Sequence, residues 1–290
     1  MIASMTGFGK ATASLPGKKI TIELKTLNSK QFDLSTRIPP AFKEIEMPMR
    51  SRLLQALERG KVDCSLQVEY VGDEGPAALN LPVLENYCRQ IRGAADRLEV
   101  DVPNDWFAVL LRLPEAVKSE TGELSEEERT AVMGALDEAV GHLNEFRAQE
   151  GAMLERLFRE KVANIGKYLV EIETYEPERL EKVKARLMEN LEKALGADYD
   201  KNRFEQEMIY YIEKYDVSEE KNRLRNHLQY FLKTLDNGHG QGKKLGFISQ
   251  EMGREINTLG SKSNLAEMQQ LVVRMKDELE QIKEQILNVL

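Results

Sequence analysis

The sequence predicts an α+β protein: a small β-rich N-terminal domain followed by long helical arms and a C-terminal helical domain. Three features predict it. Alternation of apolar and polar residues with period two is confined to residues 2–71, as in half-buried strands. From Ser125 to about Leu195 apolar residues recur at helical spacing, with almost no breakers beyond Gly151 and Pro177. Charged residues make up 31% and hydrophobic ones 41%, with 9 prolines in 290 residues, which suits a chain rich in exposed helix. The expected domains are residues 1–120, 121–200 and 201–290.

Residues 2–13 and 19–27 read as two strands joined by Leu15-Pro16-Gly17-Lys18, a tight turn. Ile20, Ile22 and Leu24 alternate as a half-buried strand should. A third strand over residues 31–38 stops at Pro39-Pro40, which offer no ladder donors. A helix over 41–57 and a fourth strand over 62–71 complete the order βββαβ, which suggests an antiparallel-dominated sheet. Thr6-Gly7-Phe8-Gly9 reads as a strand bend, with a phosphate cradle as the alternative. Helices are expected over residues 80–98 and again from Trp106. The charged segment after Ser125 cannot fold on itself except as a hairpin, so two helical arms turning near Thr174 to Glu178 are expected.

Arg203 to Lys214 reads as a helix, and Asp216-Val217-Ser218-Glu219 as a capping box opening the next. In that helix Val217, Leu224, Leu228, Phe231 and Leu235 share an apolar face. Glu220, Arg223 and His227 line the opposite side. A loop flexible by composition, residues 236–242, leads to the stretch around which the chain is organised, residues 242–263. There Leu245, Ile248, Met252, Ile256 and Leu259 bury one face. Glu251, Arg254, Glu255 and Thr258 share the other, with Lys243 and Lys244 ahead of them and Gly260-Ser261-Lys262-Ser263 closing the helix. A solvated face with i,i+4 ion pairs is the plainer account of such a stripe. A last helix, capped by Asn264 and Glu267, carries Met268, Val272, Met275, Leu279, Ile282 and Ile286. That heptad-like seam wants a partner helix, in this chain or in another copy.

No apolar run approaches the ~20 residues of a membrane span. The N-terminus lacks a basic region followed by an apolar core, so a cytoplasmic protein with no membrane partner is expected. Cys64 and Cys88 lack metal-type spacing and read as buried thiols. The net charge of −8 argues against a nucleic-acid binder held by an overall positive field. If the chain binds nucleic acid, its cations must therefore be concentrated locally.

Residues 242–263 are similar to the C-terminal signature of the YicC/YloC family of bacterial endoribonucleases, approximately G-R-K-L-D-F-L-x-Q-E-x-N-R-E-x-N-T-x-G-S-K. Gly246 stands where the family usually has Asp, and Gly253 where it usually has Asn. A side chain lost at either place is expected to weaken a metal or phosphate contact. Ser4-Met5-Thr6-Gly7-Phe8-Gly9, Leu27-Asn28-Ser29-Lys30-Gln31-Phe32-Asp33 and Arg59-Gly60-Lys61-Val62 resemble the same family, with Lys30 where Arg is more usual. So do Leu111-Arg112-Leu113-Pro114, Phe146-Arg147 with Glu150-Gly151, and Glu219-Glu220 with Arg223-Leu224 and His227. The resemblance covers nearly the whole length. It implies a metal-dependent endoribonuclease that hydrolyses phosphodiester bonds in single-stranded or structured RNA. It also implies a homohexamer whose arms wall a central space, with other RNA-decay enzymes as further partners.

RNA cleavage needs a nucleophile, a counter-charge for the transition state and a proton for the leaving oxygen. His227 is the candidate proton carrier, since its ordinary pKa of about 6.5 allows exchange near neutrality. Glu219, Glu220, Glu251 and Glu255 are candidate oxygen ligands for Mg²⁺ or Mn²⁺. The last three join His227 as the candidate catalytic group. Arg223, Lys243, Lys244, Arg254, Ser261 and Lys262 are candidate RNA contacts. Spacing groups these residues within each helix; the apposition of the two helices rests on their short loop and on the resemblance. Two other classes stay open. One is a non-catalytic RNA-binding adaptor that delivers small RNAs to another nuclease. The other is a structural oligomer whose polar stripes are ion-pair seams.

Overall fold

The structure is a computed structural model and describes residues 2–71, 77–119, 124–195 and 201–290. Its contacts divide the chain into two units, Gly7–Asn144 and Met1–Thr6 with Glu145–Leu290. In the first, β1 (Gly7–Leu15), β2 (Lys18–Leu27), β3 (Phe32–Arg37) and β4 (Gly60–Tyr70) form one sheet in the order β1-β2-β4-β3. β2 pairs antiparallel with β1 and β4, as the alternation suggests. β3 runs parallel to β4, because the chain between them crosses through a 3₁₀ turn (Pro40–Ile45) and α1 (Glu46–Ala56). Phe42, Ile45, Met49 and Leu53 from that crossover share a core with Ile20, Ile22, Leu24, Val62 and Leu66 of the sheet. Val132, Leu136, Ala139 and Leu143 of α4 (Glu126–Leu195) complete it.

Gly9 shows what the glycine-rich tip is for. A Cβ there would lie 2.0 Å from the Ala139 carbonyl oxygen, so only glycine lets β1 approach α4. Cys64 lies in the same core, where burial pushes its thiol up to about 12 and leaves it inert. α2 (Leu81–Leu98) and α3 (Trp106–Leu110) hold a smaller cluster of Leu84, Leu110 and Ala116. Beside them lies the pair β5 (Ala77–Leu79) and β6 (Val117–Ser119), antiparallel to each other. Strands of three residues carry too little period for a sequence to announce them.

The second unit corrects the expected helical hairpin. α4 runs through Pro177 without turning near Thr174 to Glu178. A proline inside a helix removes one hydrogen bond and crowds the preceding turn. Here both sides of it are held by packing. Leu169 and Ile172 lie in the core before Pro177, and the buried Arg179 after it donates from Nη2 to the Tyr215 carbonyl at 2.6 Å. α5 (Lys201–Tyr215), α6 (Ser218–Asp236), α7 (Gly242–Lys262) and α8 (Ala266–Ile286) follow. α4, α6, α7 and α8 share one apolar core, in which Phe158 and Phe231 meet edge to face with centroids 5.9 Å apart.

The whole α8 seam, Met268 to Ile286, is buried in this core, so its partner helices belong to the same chain. Leu265 rather than Asn264 occupies the α8 N-cap. Asp216 accepts from the Ser218 hydroxyl at 2.7 Å and its backbone N–H at 3.0 Å, and these bonds hold its carboxyl below the usual range. The loop between α6 and α7, expected to be flexible, is tied down: the Gly240 N–H donates to the Leu290 carbonyl. The Leu290 N–H donates to Ala3, and the Met5 N–H to Asn288. The motif around Arg147 and Gly151 receives this N-terminal segment. The Ser4 N–H donates to the Arg147 carbonyl, and a Cβ on Gly151 would lie 2.1 Å from the Ile2 carbonyl oxygen. Among the described residues no helix is long and apolar enough to cross a membrane.

Candidate functional site

α6 and α7 form an antiparallel hairpin, and three cross-helix contacts set its register. Near the loop the Lys244 ammonium stands 4.9 Å from the centre of the Tyr230 ring. In the middle Arg223 Nη1 is 3.9 Å from Glu255 Oε1. At the far end Lys262 Nζ donates to Glu220 Oε1 at 2.7 Å and to the Asp216 carbonyl at 2.9 Å. On α6 Glu220, Arg223, His227 and Tyr230 follow one another at spacings of three and four, one line along the helix. The contacts on either side of it set His227, half-buried, against the stretch of α7 between Lys244 and Glu255, which holds Glu251. The hairpin thus supplies the apposition that the sequence leaves to its short loop.

The expected acidic residues do not share one environment. Glu220 and Glu255, expected on the open faces, are only 7% and 8% exposed. Each lies at the seam between the helices with a cation from the neighbouring helix, the arrangement a buried carboxylate requires. Glu219 and Glu251 are more open and pair within their own helices, Glu219 with Arg223 and Glu251 with Arg254 at 2.6 Å. Among the described residues no group of three or more His, Cys, Asp and Glu side chains is close enough to hold a metal ion. Mg²⁺ commonly takes only one or two carboxylates and completes its shell with waters and substrate phosphate. By that measure Glu251, half-exposed, fits such an ion better than the four carboxylates together.

The expected RNA contacts also separate. Lys243, Lys244 and Arg254 are exposed on α7 and Arg223 on α6. Lys262 is instead occupied as a clasp between the ends of the two helices. Ser261 donates its hydroxyl to the Thr258 carbonyl of its own helix at 2.8 Å. Gly246 and Gly253 do not face the hairpin's charged stripe. A Cβ at 246 would meet Ile286 Cγ2 at 3.8 Å, and one at 253 Leu279 Cδ2 at 3.3 Å, both on α8. The two departures from the signature therefore remove no side chain from the stripe.

Three features went unread in the sequence. Lys221 is buried and pairs with Glu173 at 3.4 Å and Glu176 at 2.6 Å, while Arg225 also pairs with Glu173. This cluster fastens the inner edge of α6 to α4. Tyr230 and Phe247, 45% and 58% exposed, stand among the open cations. Their signal was available: Tyr230 follows His227 by three residues, and Phe247 follows Lys244 by three.

A mixed α+β chain whose helical unit presents histidine, arginine and lysine along an exposed hairpin is equipped for a polyanion. The comparisons narrow that class to one family. The model of the N-terminal region of YicC-like endoribonucleases matches residues 2–156, and that of their C-terminal region residues 172–290. The chain belongs to this family. It is 30% identical over 301 residues to a protein of Clostridioides difficile (strain 630), and 31% identical over 294 residues to one of Haemophilus influenzae. Both alignments cover the full length of both proteins, and both relatives bear the name "Probable endoribonuclease YicC".

Proposed function

We propose that the protein is an endoribonuclease that cuts RNA along the α6–α7 hairpin. The observation that carries the proposal is the register that sets His227 across from the stretch of α7 holding Glu251, with Arg223, Lys244 and Arg254 exposed around it. The names of the full-length relatives support the same reaction. Arg223, Lys243, Lys244 and Arg254 bind successive phosphates and neutralise charge that grows on the reacting one. His227 gives a proton to the leaving oxygen, a role worth roughly 10²–10⁴-fold in rate. Glu251 would hold a hydrated Mg²⁺ or Mn²⁺, which when bound would supply an activated water. Glu220 and Glu255 keep the two helices in register rather than touching the reacting atoms.

Labelled RNA incubated with the purified protein, with and without EDTA and with the product ends analysed, tests this. Cleavage that EDTA abolishes, leaving 5′-phosphate and 3′-hydroxyl ends, is the expected result. Glu251→Gln should abolish it, and His227→Ala should slow it about 10²–10⁴-fold with the metal requirement intact. Full activity in EDTA with cyclic-phosphate ends would make His227 the base that takes the proton from the attacking ribose 2′-hydroxyl. RNA binding without cleavage would select the adaptor, and no RNA affinity the structural oligomer.

A further inference from the structure

We propose that Gly242 is a positioning residue for RNA binding, seating the first turn of α7 on a backbone strut that holds Lys243 and Lys244 in place. The inference rests on the RNA reading above and adds a residue to it. The strut runs from α4 to α7. Residues 3–5 pair antiparallel with residues 288–290 about Ser4 and Val289. The Leu290 N–H donates to the Ala3 carbonyl at 2.9 Å, and the Met5 N–H to that of Asn288 at 2.7 Å. On one side the Ser4 N–H donates to the Arg147 carbonyl of α4 at 3.0 Å. On the other the Leu290 carbonyl accepts from the Gly240 N–H at 3.2 Å, and the Val289 carbonyl lies against the buried Gly242. A Cβ at 242 would stand 2.5 Å from that oxygen and 3.3 Å from its carbon. The obstacle is backbone bonded on both sides, so it cannot swing away as a side chain would.

The first turn of α7 needs this seat. Its N-cap, Gln241, makes no side-chain cap bond, and no acidic residue lies in the turn. Both local devices that steady a helix start are therefore missing, and glycine is itself a poor helix former. Tertiary packing keeps the turn wound, and its next two residues are Lys243 and Lys244. A wound turn presents the two ammoniums together to neighbouring phosphates. A frayed one spreads them over many positions, and gathering them again costs binding energy. Alanine, ordinarily the better helix former, should here undo the turn.

The test is a double-mutant cycle on affinity for a labelled RNA hairpin with a single-stranded tail. The RNA is 2′-O-methylated and kept in EDTA so that neither route of cleavage operates, and binding is read by fluorescence anisotropy. Gly242→Ala should weaken binding about tenfold at about 0.1 M salt and lower the slope of log affinity against log salt by about 1. With Lys243 and Lys244 already replaced by alanine, it should change affinity by less than about twofold, because both changes act through the same groups. Val289→Ala, which adds no clash, should weaken binding by about threefold, again only while the lysines are present. Gly260→Ala is the control: its Cβ meets Val272 Cγ1 at 2.9 Å near the other end of α7, so it should lower stability and leave affinity and slope unchanged. In the natural protein without RNA, the Gly240 and Leu245 amides should resist hydrogen exchange, since each is bonded. A Gly242→Ala loss that persists undiminished without the lysines, an equal loss in Gly260→Ala, or rapid exchange at Gly240 would overturn the assignment and leave the RNA reading standing. Should Gly242→Ala fail to fold, the Val289→Ala cycle decides by the same criterion. A natural protein that does not bind the RNA would remove both proposals.

Discussion

Gly246 and Gly253 decide whether this chain has lost part of a site, and their surroundings give the answer. Both face α8, where the first has 3.8 Å of room to Ile286 and the second only 3.3 Å to Leu279. Glycine inside a helix costs about 1 kcal/mol relative to alanine because it has more backbone freedom to lose. Gly246→Ala should therefore raise the stability by about 0.5–1 kcal/mol in urea unfolding and leave RNA cleavage unchanged. A drop in cleavage would return position 246 to the site. The same substitution at Gly260 has the opposite expectation built in, since a Cβ there would stand 2.9 Å from Val272 Cγ1. Glu220 and Lys262 teach the complementary lesson. A carboxylate and an ammonium that look like ligand and substrate contact in the sequence satisfy one another at 2.7 Å.

At the scale of the element, α7 presents two kinds of cation. Lys262 and Arg254 are engaged with carboxylates of the hairpin, as Arg223 is on α6. Lys243 and Lys244 stand exposed in its first turn, beside the loop that the chain terminus pins. Substitution of both lysines by alanine should weaken single-stranded RNA binding and flatten its salt dependence. Each lost phosphate contact lowers the slope of log affinity against log salt by about 0.7. An unchanged slope in titrations at several salt concentrations would place the RNA elsewhere. The apolar faces of α6, α7 and α8 were legible in the sequence because a packed helix repeats its buried side every three or four residues. The path of α4 was not. Proline predicts a break from local geometry, and only the packing of Ile172 and Arg179 on either side of Pro177 shows why the helix continues.

For the whole molecule, the α8 seam no longer argues for a second copy, since Met268, Met275 and Ile282 are fully covered within the chain. The proposal of a closed homo-oligomer, a hexamer, rests instead on the family resemblance and on another surface. Ile209, Tyr210 and Ile212 of α5 are each about half exposed, an apolar face that a second chain could cover. It suits the acidic net charge of −8, because gathering several hairpins would concentrate cations that one chain spreads thinly. Light scattering at micromolar concentration should find a mass several times that of the chain. A monomer there would remove the assembly and any central space with it.

The sequence by itself determined the four strands of the larger sheet, the helical periods and the residues on each polar stripe, because period and turn chemistry are local properties. It also carried the family, through a long signature that spacing alone would not explain. Tertiary structure decided which of the charged residues remain open. Glu220 shares a polar stripe with Arg223 and His227, and Glu255 another with Glu251 and Arg254, yet the antiparallel packing of α6 on α7 turns Glu220, Glu255 and Lys262 into a seam of paired charges. The physical reason is that a buried charge needs a partner from another element, and no period within one helix records where that partner will be.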